Sequence, residues 1–536
     1  MSHKRVLAIG LDGFDETFGN FLLSSGELPT LAALKKQSAT WSIDHGISTL
    51  AALDWEQFTS GMSPVVSGRW SPVHFDKNTY NAWQEGAHFA PFVNGVNRKI
   101  AVFDVPYFDI NRVDNSYGVV DWGRHDPAVG TVSSPEGLIK EIISRFGDYP
   151  AKDWVYGIPW NSIKNTRLMG ELLTDALKVR TKAASWLLKE RLPDWELAMV
   201  VATEIHSATE GLWFGVDEEH PLNKLESAME AKEGLRSVYK AADRLVGNLV
   251  EIFPDAQIII FSLGGMGPNR ADIPGMILLP ELLYRKRFKK PFLEPRKDWN
   301  NANNDIASLK PNESWSEAIE KQYAVKDMFP NYRNNWPNRI KDHIFEKMIK
   351  FRKQENKPER KFYSLSLNWM PAMYYSPCWK YMDAFALPSF NTGRIRINLK
   401  GRERKGRIPV KQYYHFVENL KEYLMNCQTL DGNPVIQSIF TTDCADPMEL
   451  DTSDADLMID WKGINQGIFH PETGTIGPVP FRRTGGHLEK SGITYIYNTN
   501  TPDGYYGLRS AYDIVPTIFT MMEESIPTAI CGTSLI

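Results

Sequence analysis

The sequence predicts an α/β protein whose central, mostly parallel sheet is covered by helices on both faces. Three near-continuous apolar runs, at 6–10, 196–203 and 257–262, are typical of strands that are buried on both sides. Helical periodicity covers 171–191, just before the second run, and 226–253, between the second and third runs. Strands and helices therefore alternate along the chain, and this alternation indicates a parallel sheet with helical crossovers.

The remaining elements follow in chain order. A helix is predicted over 29–36, because Leu31 and Leu34 lie on one helical face. Closer to the carboxyl terminus, the hydrophobic patterns predict a strand at 394–398, a helix at 411–426, a strand at 456–461 and a closing helix at 512–522.

Residues 271–385 differ in composition from the rest of the chain. They are rich in Lys, Arg, Asn, Pro and Trp, and their hydrophobic periodicity is weak. We therefore expect an inserted region of loops and short helices that forms a cap. This insertion divides the α/β core into a first part at 1–270 and a remainder at 386–536.

Composition excludes several classes of protein. The 536 residues, 42% of them hydrophobic, are enough to bury a large core. A net charge of −4 lacks the basic surplus that nucleic-acid binding requires. No run of about 18 apolar residues predicts a membrane span, and the first residues lack the pattern of a secretory signal. We expect a cytoplasmic protein that binds neither nucleic acid nor membranes, while no feature indicates its oligomeric state.

A candidate functional segment follows each of the three apolar runs. Asp12 ends the first run, His206 and Glu210 follow the second, and the Gly-rich segment 262–265 ends the third. Another histidine, His487, lies in a later Gly-rich turn. Because functional groups gather at the carboxyl ends of parallel strands, we expect these side chains to converge. The i, i+4 spacing of His206 and Glu210 places both on one face of a helical turn.

Several segments, spread over nearly the whole chain, carry a family resemblance. They read AIGLDGFD, ELPTLAALKKQ, TSGMSP, FSLGGMGP, FNTGRIRINLKGRE, DADLMIDWKG, GGHLEKSG and YDIVPTIFTMM. Their number and order resemble the type I phosphodiesterase and nucleotide pyrophosphatase branch of the alkaline phosphatase superfamily. The resemblance implies an alkaline phosphatase-like sheet and the hydrolysis of phosphate, phosphonate or related esters.

The family usually holds two metal ions beside a Thr or Ser nucleophile, a geometry that stabilises both the attacking and the leaving oxygen. Here the resemblance places the nucleophile position at Ala51 or in a small deletion after Thr49. Thr49 and Ser48 are candidates for a shifted nucleophile, with ordinary loop hydroxyls as the alternative. Asp12 keeps the place of the family's first-strand aspartate. The ligand positions of the SDHG-like motif are Leu263 and Gly264, which cannot coordinate a cation. One metal site is therefore expected to be lost.

The second metal site is predicted to be rebuilt rather than lost. By the resemblance, His206 stands at the position of an Asp, Glu210 at that of a His, and His487 is retained. Two imidazoles and a carboxylate suit one divalent ion, Zn²⁺ or Fe²⁺, with Mn²⁺ as a further option. Arg482 and Arg483, beside His487, are predicted to bind a small anionic substrate, with solvent-facing charge as the alternative.

Four interpretations follow from this pattern. The first is a mononuclear metal-dependent hydrolase that uses the His/Glu/His set without a covalent nucleophile. The second is a catalytically inactive binding module, in which these residues have drifted and Asp12 is only a turn cap. The third is a non-haem Fe²⁺ enzyme. The fourth is an ordinary phosphodiesterase whose Asp-His pair is Asp44 and His45.

Overall fold

The computed structural model describes residues 5–123, 128–155, 161–300, 306–310, 313–323, 362–442, 444–487 and 491–536. Its strands are β1 Val6–Leu11, β2 Ser38–Asp44, β3 Val73–Asp76, β4 Asn81–Glu85, β5 Ile100–Phe103, β6 Ser116–Val120, β7 Val132–Ser134, β8 Leu197–Ala202, β9 Gln257–Phe261, β10 Met266–Pro268, β11 Ser364–Ser366, β12 Ala384–Leu387, β13 Gly393–Ile397, β14 Gln428–Thr429, β15 Ile436–Thr441, β16 Leu457–Trp461, β17 Ile468–His470, β18 Gly474–Ile476, β19 Gly485–His487, β20 Gly492–Tyr497 and β21 Gly504–Ser510.

The central sheet has nine strands in the order β21-β2-β20-β9-β1-β8-β5-β6-β7. The inner strands β9, β1, β8, β5 and β6 are all parallel to their neighbours in this run. Antiparallel pairing is confined to the flanks, where β20 lies between β9 and β2 and where β7 closes the edge. The predicted mostly parallel sheet is therefore confirmed.

The sheet is covered on both faces, as the apolar runs predict. Side chains of β1 alternate between two hydrophobic cores, with Leu7, Ile9 and Leu11 in one and Val6 and Ala8 in the other. Successive side chains of a strand point to opposite faces, so a strand buried on both faces needs apolar residues at every position. This requirement explains why the inner strands are visible in the sequence as continuous apolar runs.

The α-helices supply the layers on either side of this sheet. They are Glu16–Ser24, Pro29–Lys35, Asp54–Ser60, Pro64–Ser67, Leu138–Phe146, Ile163–Trp186, Glu204–Leu212, Ala228–Ile252, Leu279–Phe288, Lys297–Asn300, Trp315–Glu320, Ser376–Trp379, Tyr413–Met425 and Ile514–Met521. Short 3₁₀ helices include Gly46–Ala51 and Pro371–Tyr375. Among the described residues, none of the helices combines the length and the apolar character that a membrane crossing requires.

The region predicted as an insertion is described only in part, because 324–361 lies outside the described residues. In its described part, β11 pairs with β4 of the first third of the chain, and the helix Leu279–Phe288 begins with buried residues. Farther along, β12, β13, β16 and β15 form a separate antiparallel sheet of four strands. The chain then returns to the central sheet through β20 and β21.

Candidate functional site

The site begins at the turn that follows β1. The backbone N–H of Asp12 donates to the carbonyl of Ala202 at 3.1 Å, which ties this turn to the end of β8. Gly13 has a φ of +72°, and a Cβ at this position would lie 3.1 Å from the Cα of His206. Glycine is therefore required here, both for the left-handed backbone and for the close approach of the next element.

That element is the helix Glu204–Leu212, which starts directly after β8 and is buried along its whole length. It carries His206 and Glu210 on one face, with 3.4 Å between His206 Nε2 and Glu210 Oε1. The predicted sharing of one helical face is confirmed. Both side chains are nearly sealed, with 5% and 2% exposure.

Asp12 completes a chain of polar contacts with this helix. Its Oδ2 lies 3.1 Å from Nδ1 of His206, and its Oδ1 accepts a hydrogen bond from the indole N–H of Trp55 at 2.8 Å. A carboxylate on Nδ1 fixes the orientation of an imidazole ring, so Asp12 directs Nε2 of His206 toward Glu210. The convergence predicted for the strand ends is confirmed for these residues.

A short strand brings the carboxyl-terminal residues to the same place. Both the backbone N–H and the hydroxyl of Thr484 donate to the carbonyl of Glu210, at 2.7 and 3.2 Å. A Cβ on Gly485 would lie 2.2 Å from the carbonyl oxygen of Thr209, so only glycine permits this packing. The strand β19 therefore lies directly against the helix that carries Glu210.

His487, at the end of β19, faces the first histidine. Its ring centroid is 4.6 Å from that of His206, with the ring planes at 86°. Its Nδ1 lies 3.9 Å from Oδ2 of Asp54, a residue at the start of the helix Asp54–Ser60. The two imidazoles are thus neighbours, as the sequence predicts for the residues at the strand ends.

The two arginines lie beside them and share one carboxylate. Arg483 contacts Asp272 through Nε and Nη2, at 2.7 and 2.6 Å, and contacts Glu210 through Nη1. Arg482 contacts Asp272 through Nη1 at 3.2 Å, and its guanidinium lies 4.6 Å from the ring centroid of Trp369. Burial raises the pKa of Asp272, and the charge of Arg482 opposes this shift.

The two histidines, Glu210 and the two arginines line one pocket of about 470 Å³ at the carboxyl ends of the parallel strands. This is the edge at which α/β sheets carry their ligand sites. Its walls combine charged groups with aromatic and apolar ones. The lining residues are Ala52, Leu53, Asp54, Trp55, Pro72, Gln84, Tyr107, His206, Glu210, Leu365, Ser366, Trp369, Phe390, Asn391, Arg482, Arg483 and His487.

Comparison with known proteins shows which fold carries this pocket. No family model matches the chain, and no curated protein matches its sequence. A mutant of the alkaline phosphatase PafA aligns with 100% of this chain and 99% of its own, at 10% identity and a TM-score of 0.50. The chain has the alkaline phosphatase fold. The predicted fold class is thereby confirmed.

Two further structures are similar to this chain. Phosphonoacetate hydrolase from Sinorhizobium meliloti, in complex with phosphonoformate, aligns with 97% of this chain and 96% of its own, at 12% identity and a TM-score of 0.46. Human ectonucleotide pyrophosphatase/phosphodiesterase 5 aligns with 99% and 97%, at 8% identity and a TM-score of 0.44. At such identities the chemistry must be read from this chain's own residues.

The residues predicted at the nucleophile position lie outside the pocket. Ala51 is fully buried, and neither Ala51 nor Thr49 lines the pocket. The carbonyl of Thr49 accepts a long hydrogen bond, of 3.4 Å, from the side chain of Asn391. Burial lowers the pKa of His45 to about 3, so this ring is neutral, and it packs against Tyr512 rather than lining the pocket.

The metal ion that the resemblance implies requires a ligand set with room for a cation. His206, Glu210 and His487 all line the pocket, and both Glu210 and His487 lie next to His206. Their arrangement does not fit a divalent cation, because Arg483 already contacts the Glu210 oxygen that faces His206. In the parts of the chain that the structure describes, no group of three or more His, Cys, Asp or Glu side chains is arranged to hold a metal ion. The metal site stays a prediction.

Four residues of the site are not singled out by the sequence. Asp54 and Asn391 line the pocket, Trp369 lies under Arg482, and Asp272 holds both arginines. Asp54 lies just after the position of the nucleophile, which is the one signal that marks it. Asp272 and Trp369 fall in the region predicted as an insertion, which contains no motif.

Proposed function

We propose that the pocket binds a small ligand with a phosphate, phosphonate or sulfate group. The chain is then a binding module that does not convert this ligand. The observation that carries this proposal is the position of Arg482 in the pocket wall. Arg482 lines the pocket, and among the described residues one ion pair, to Asp272, engages its guanidinium, which carries five N–H donors with which to meet an oxyanion. Guanidinium groups match the geometry of tetrahedral oxyanions and bind them through paired hydrogen bonds.

The rest of the pocket suits the organic part of such a ligand. Trp369, Phe390, Leu365 and Tyr107 contribute aromatic and apolar surface beside the charged end. Small-molecule sites typically combine an apolar wall with a few polar groups that fix the orientation of the ligand. The ligand expected here is therefore an organic ester with one anionic head, rather than a bare inorganic ion.

The absence of turnover is supported by the residues at the nucleophile and first metal positions. Ala51 has no hydroxyl, Thr49 does not line the pocket, and Leu263 has no ligand atom. A covalent intermediate needs an activated nucleophile within reach of the substrate. Neither Ala51 nor Thr49 meets that requirement.

A second candidate is the mononuclear metal-dependent hydrolase, and one observation favours it. Among the described residues, Oε2 of Glu210 has no hydrogen-bond partner although it is buried. Buried acceptors are rarely left unsatisfied, so a bound ion or water at this oxygen would account for it. His206, Glu210 and His487 would hold such an ion only if the contact between Arg483 and Glu210 were broken, and the ion would then supply Lewis acidity. The Fe²⁺ alternative uses the same three residues.

Titration calorimetry separates these candidates. Inorganic phosphate, methylphosphonate, sulfate and p-nitrophenyl phosphate are titrated into the wild type in the presence of a chelator. We expect p-nitrophenyl phosphate to bind, and Arg482→Ala to weaken its binding by about tenfold or more, which is the value of one charge-assisted contact. Arg407→Ala is the control, because that arginine pairs with Asp383 and does not line the pocket.

These titrations, together with parallel assays in which Zn²⁺, Mn²⁺ or Fe²⁺ replaces the chelator, include the outcomes that contradict the proposal. Equal affinities of the wild type and Arg482→Ala would remove Arg482 from the site. Release of p-nitrophenol that requires added Zn²⁺, Mn²⁺ or Fe²⁺ and is lost in His206→Ala would favour the metal-dependent hydrolase. No release under any of these conditions supports the binding module.

A further inference from the structure

The two adjacent arginines of the pocket have different roles. Arg482 contacts one carboxylate oxygen and otherwise lies over an aromatic ring. Arg483 directs Nε and Nη2 at Asp272 and Nη1 at Glu210. Its planar fork is therefore engaged on both sides by carboxylates of the chain itself. A bidentate pair of this kind fixes the position of a guanidinium group as well as its charge.

The backbone keeps Arg483 in this position. The next residue, Thr484, donates two hydrogen bonds to the carbonyl of Glu210, at 2.7 and 3.2 Å. The residue after that, Gly485, packs so closely on Thr209 that no side chain would fit between them. The segment therefore cannot move away from the helix without breaking these contacts, and the arginine stays beside Glu210.

The charges at this point conflict with a metal ion. Oε1 of Glu210 contacts Nη1 of Arg483 and lies 3.4 Å from Nε2 of His206. Glu210 is 2% exposed and Arg483 is 10% exposed, so water screens this position poorly. A divalent cation on the same oxygen would meet the guanidinium charge at close range. The arginine already provides the positive charge that a buried carboxylate requires.

We propose that Arg483 takes the place of the metal ion at this end of the alkaline phosphatase fold. Its guanidinium balances the charge of Glu210 and Asp272 and keeps Glu210 unavailable to a divalent cation. The pocket is thus a metal-independent anion site, in which Arg482 is the residue left to contact the ligand. The inference rests on the proposed function only for this role of Arg482.

Removal of Arg483 is expected to create a metal site. The wild type, Arg483→Ala, Arg483→Gln and Arg482→Ala are incubated with excess Zn²⁺, dialysed, and analysed for metal by plasma mass spectrometry. Both Arg483 variants are expected to retain about one equivalent of Zn²⁺ on His206, His487 and Glu210. The wild type and Arg482→Ala are expected to retain only background metal. Adding His206→Ala to Arg483→Gln is expected to abolish the gained ion.

Arg482→Ala is the matched control, because it removes the neighbouring guanidinium from Asp272 and leaves the contact between Arg483 and Glu210 intact. A stoichiometric ion in the wild type that His206→Ala removes would overturn the proposal. Folded Arg483 variants that hold no more Zn²⁺ than the wild type would overturn it as well. Circular dichroism reports folding, and if neither variant folds, calorimetry of the wild type with Zn²⁺ decides.

The two proposals fail separately. Anion binding by the wild type is measured with a chelator present, so it does not depend on the metal result. Retained anion binding together with a metal ion in the wild type overturns the replacement by Arg483 and leaves the proposed function intact. A metal-free wild type that binds none of the anions overturns the proposed function and leaves the assignment of Arg483 in place.

Discussion

Arg180 and Arg483 each lie between two carboxylates near the carboxyl ends of the parallel strands, but they differ in access to solvent. Arg180 is 0% exposed and contacts Asp104 and Glu204, at 2.8 and 2.9 Å. These three residues form the sealed cluster. Arg483, with its partners Glu210 and Asp272, forms the pocket cluster, in which Arg483 and Glu210 line the cavity.

One helix separates the two clusters. Glu204 and Glu210 both belong to the helix Glu204–Leu212, and their spacing of six residues places them about 120° apart around its axis. One glutamate faces an arginine enclosed by protein, and the other faces an arginine at the cavity wall. The same pairing of charges therefore serves stability where it is enclosed, and we propose that at the cavity wall it takes the place of a metal ion.

The largest effect is expected in the sealed cluster. Arg180→Met leaves Asp104 and Glu204 buried without their cation, which costs about 3–5 kcal/mol of the free energy of unfolding. Lys178→Met on the same helix is the control. Its side chain is 57% exposed and pairs with Asp175, so the expected cost is below about 1 kcal/mol. Chemical denaturation measures the free energy of unfolding of both variants. Equal losses in the two variants would show that burial does not make the Arg180 ion pairs more important for stability than an exposed pair.

The next effect is a pH dependence of stability that arises from Asp121, a buried residue influenced by Asp104 of the sealed cluster. Burial, assisted by the charge of Asp104, raises the pKa of Asp121 to about 7. An unfolded aspartate ionises near pH 4, so between about pH 4 and 7 the folded state binds more protons than the unfolded state. Stability contributed by protonated Asp121 is therefore complete at low pH and is lost as the pH rises through this window.

Asp121→Asn removes this titration and keeps an oxygen for the amides of Ala128 and Val129. Relative to the wild type, the variant is expected to gain up to about 4 kcal/mol in free energy of unfolding between pH 4 and 8. Urea denaturation across this range measures the difference. Asp175→Asn, at an exposed site, is the control. Parallel pH profiles of wild type and Asp121→Asn would show that Asp121 does not titrate in this window.

The sealed part of the molecule is also the part that the sequence predicts best. The run at 196–203 corresponds to β8, Leu197–Ala202, because a strand buried on both faces must be apolar throughout. The long helix is predicted at 171–191 but begins at Ile163. Its first turns lack apolar periodicity, and its start is set by Ser162, whose hydroxyl accepts the N–H of Asn165.

The pocket is predicted less completely, for a different physical reason. The pair His206 and Glu210 follows from local helical spacing, and Asp12 follows from the rule that strand ends converge. The partner of Arg483 cannot be found in this way, since Asp272 lies 211 residues away in the chain. Tertiary contacts decide whether an arginine faces a ligand or a carboxylate. Hydrophobic periodicity and residue spacing report only local structure, so they do not predict these contacts.

The smallest expected effect concerns the contact between Arg482 and Trp369 in the pocket. Arg482 lies 4.6 Å from the ring centroid of Trp369, a distance at which a guanidinium is attracted to an indole face. A double-mutant cycle with Arg482→Ala and Trp369→Leu is expected to give a coupling of about 0.5–1 kcal/mol in the free energy of unfolding. Trp369→Phe keeps an aromatic face and should preserve most of it. A coupling near zero would mean that the ring does not hold Arg482, so that Asp272 alone positions the arginine that we propose contacts the ligand.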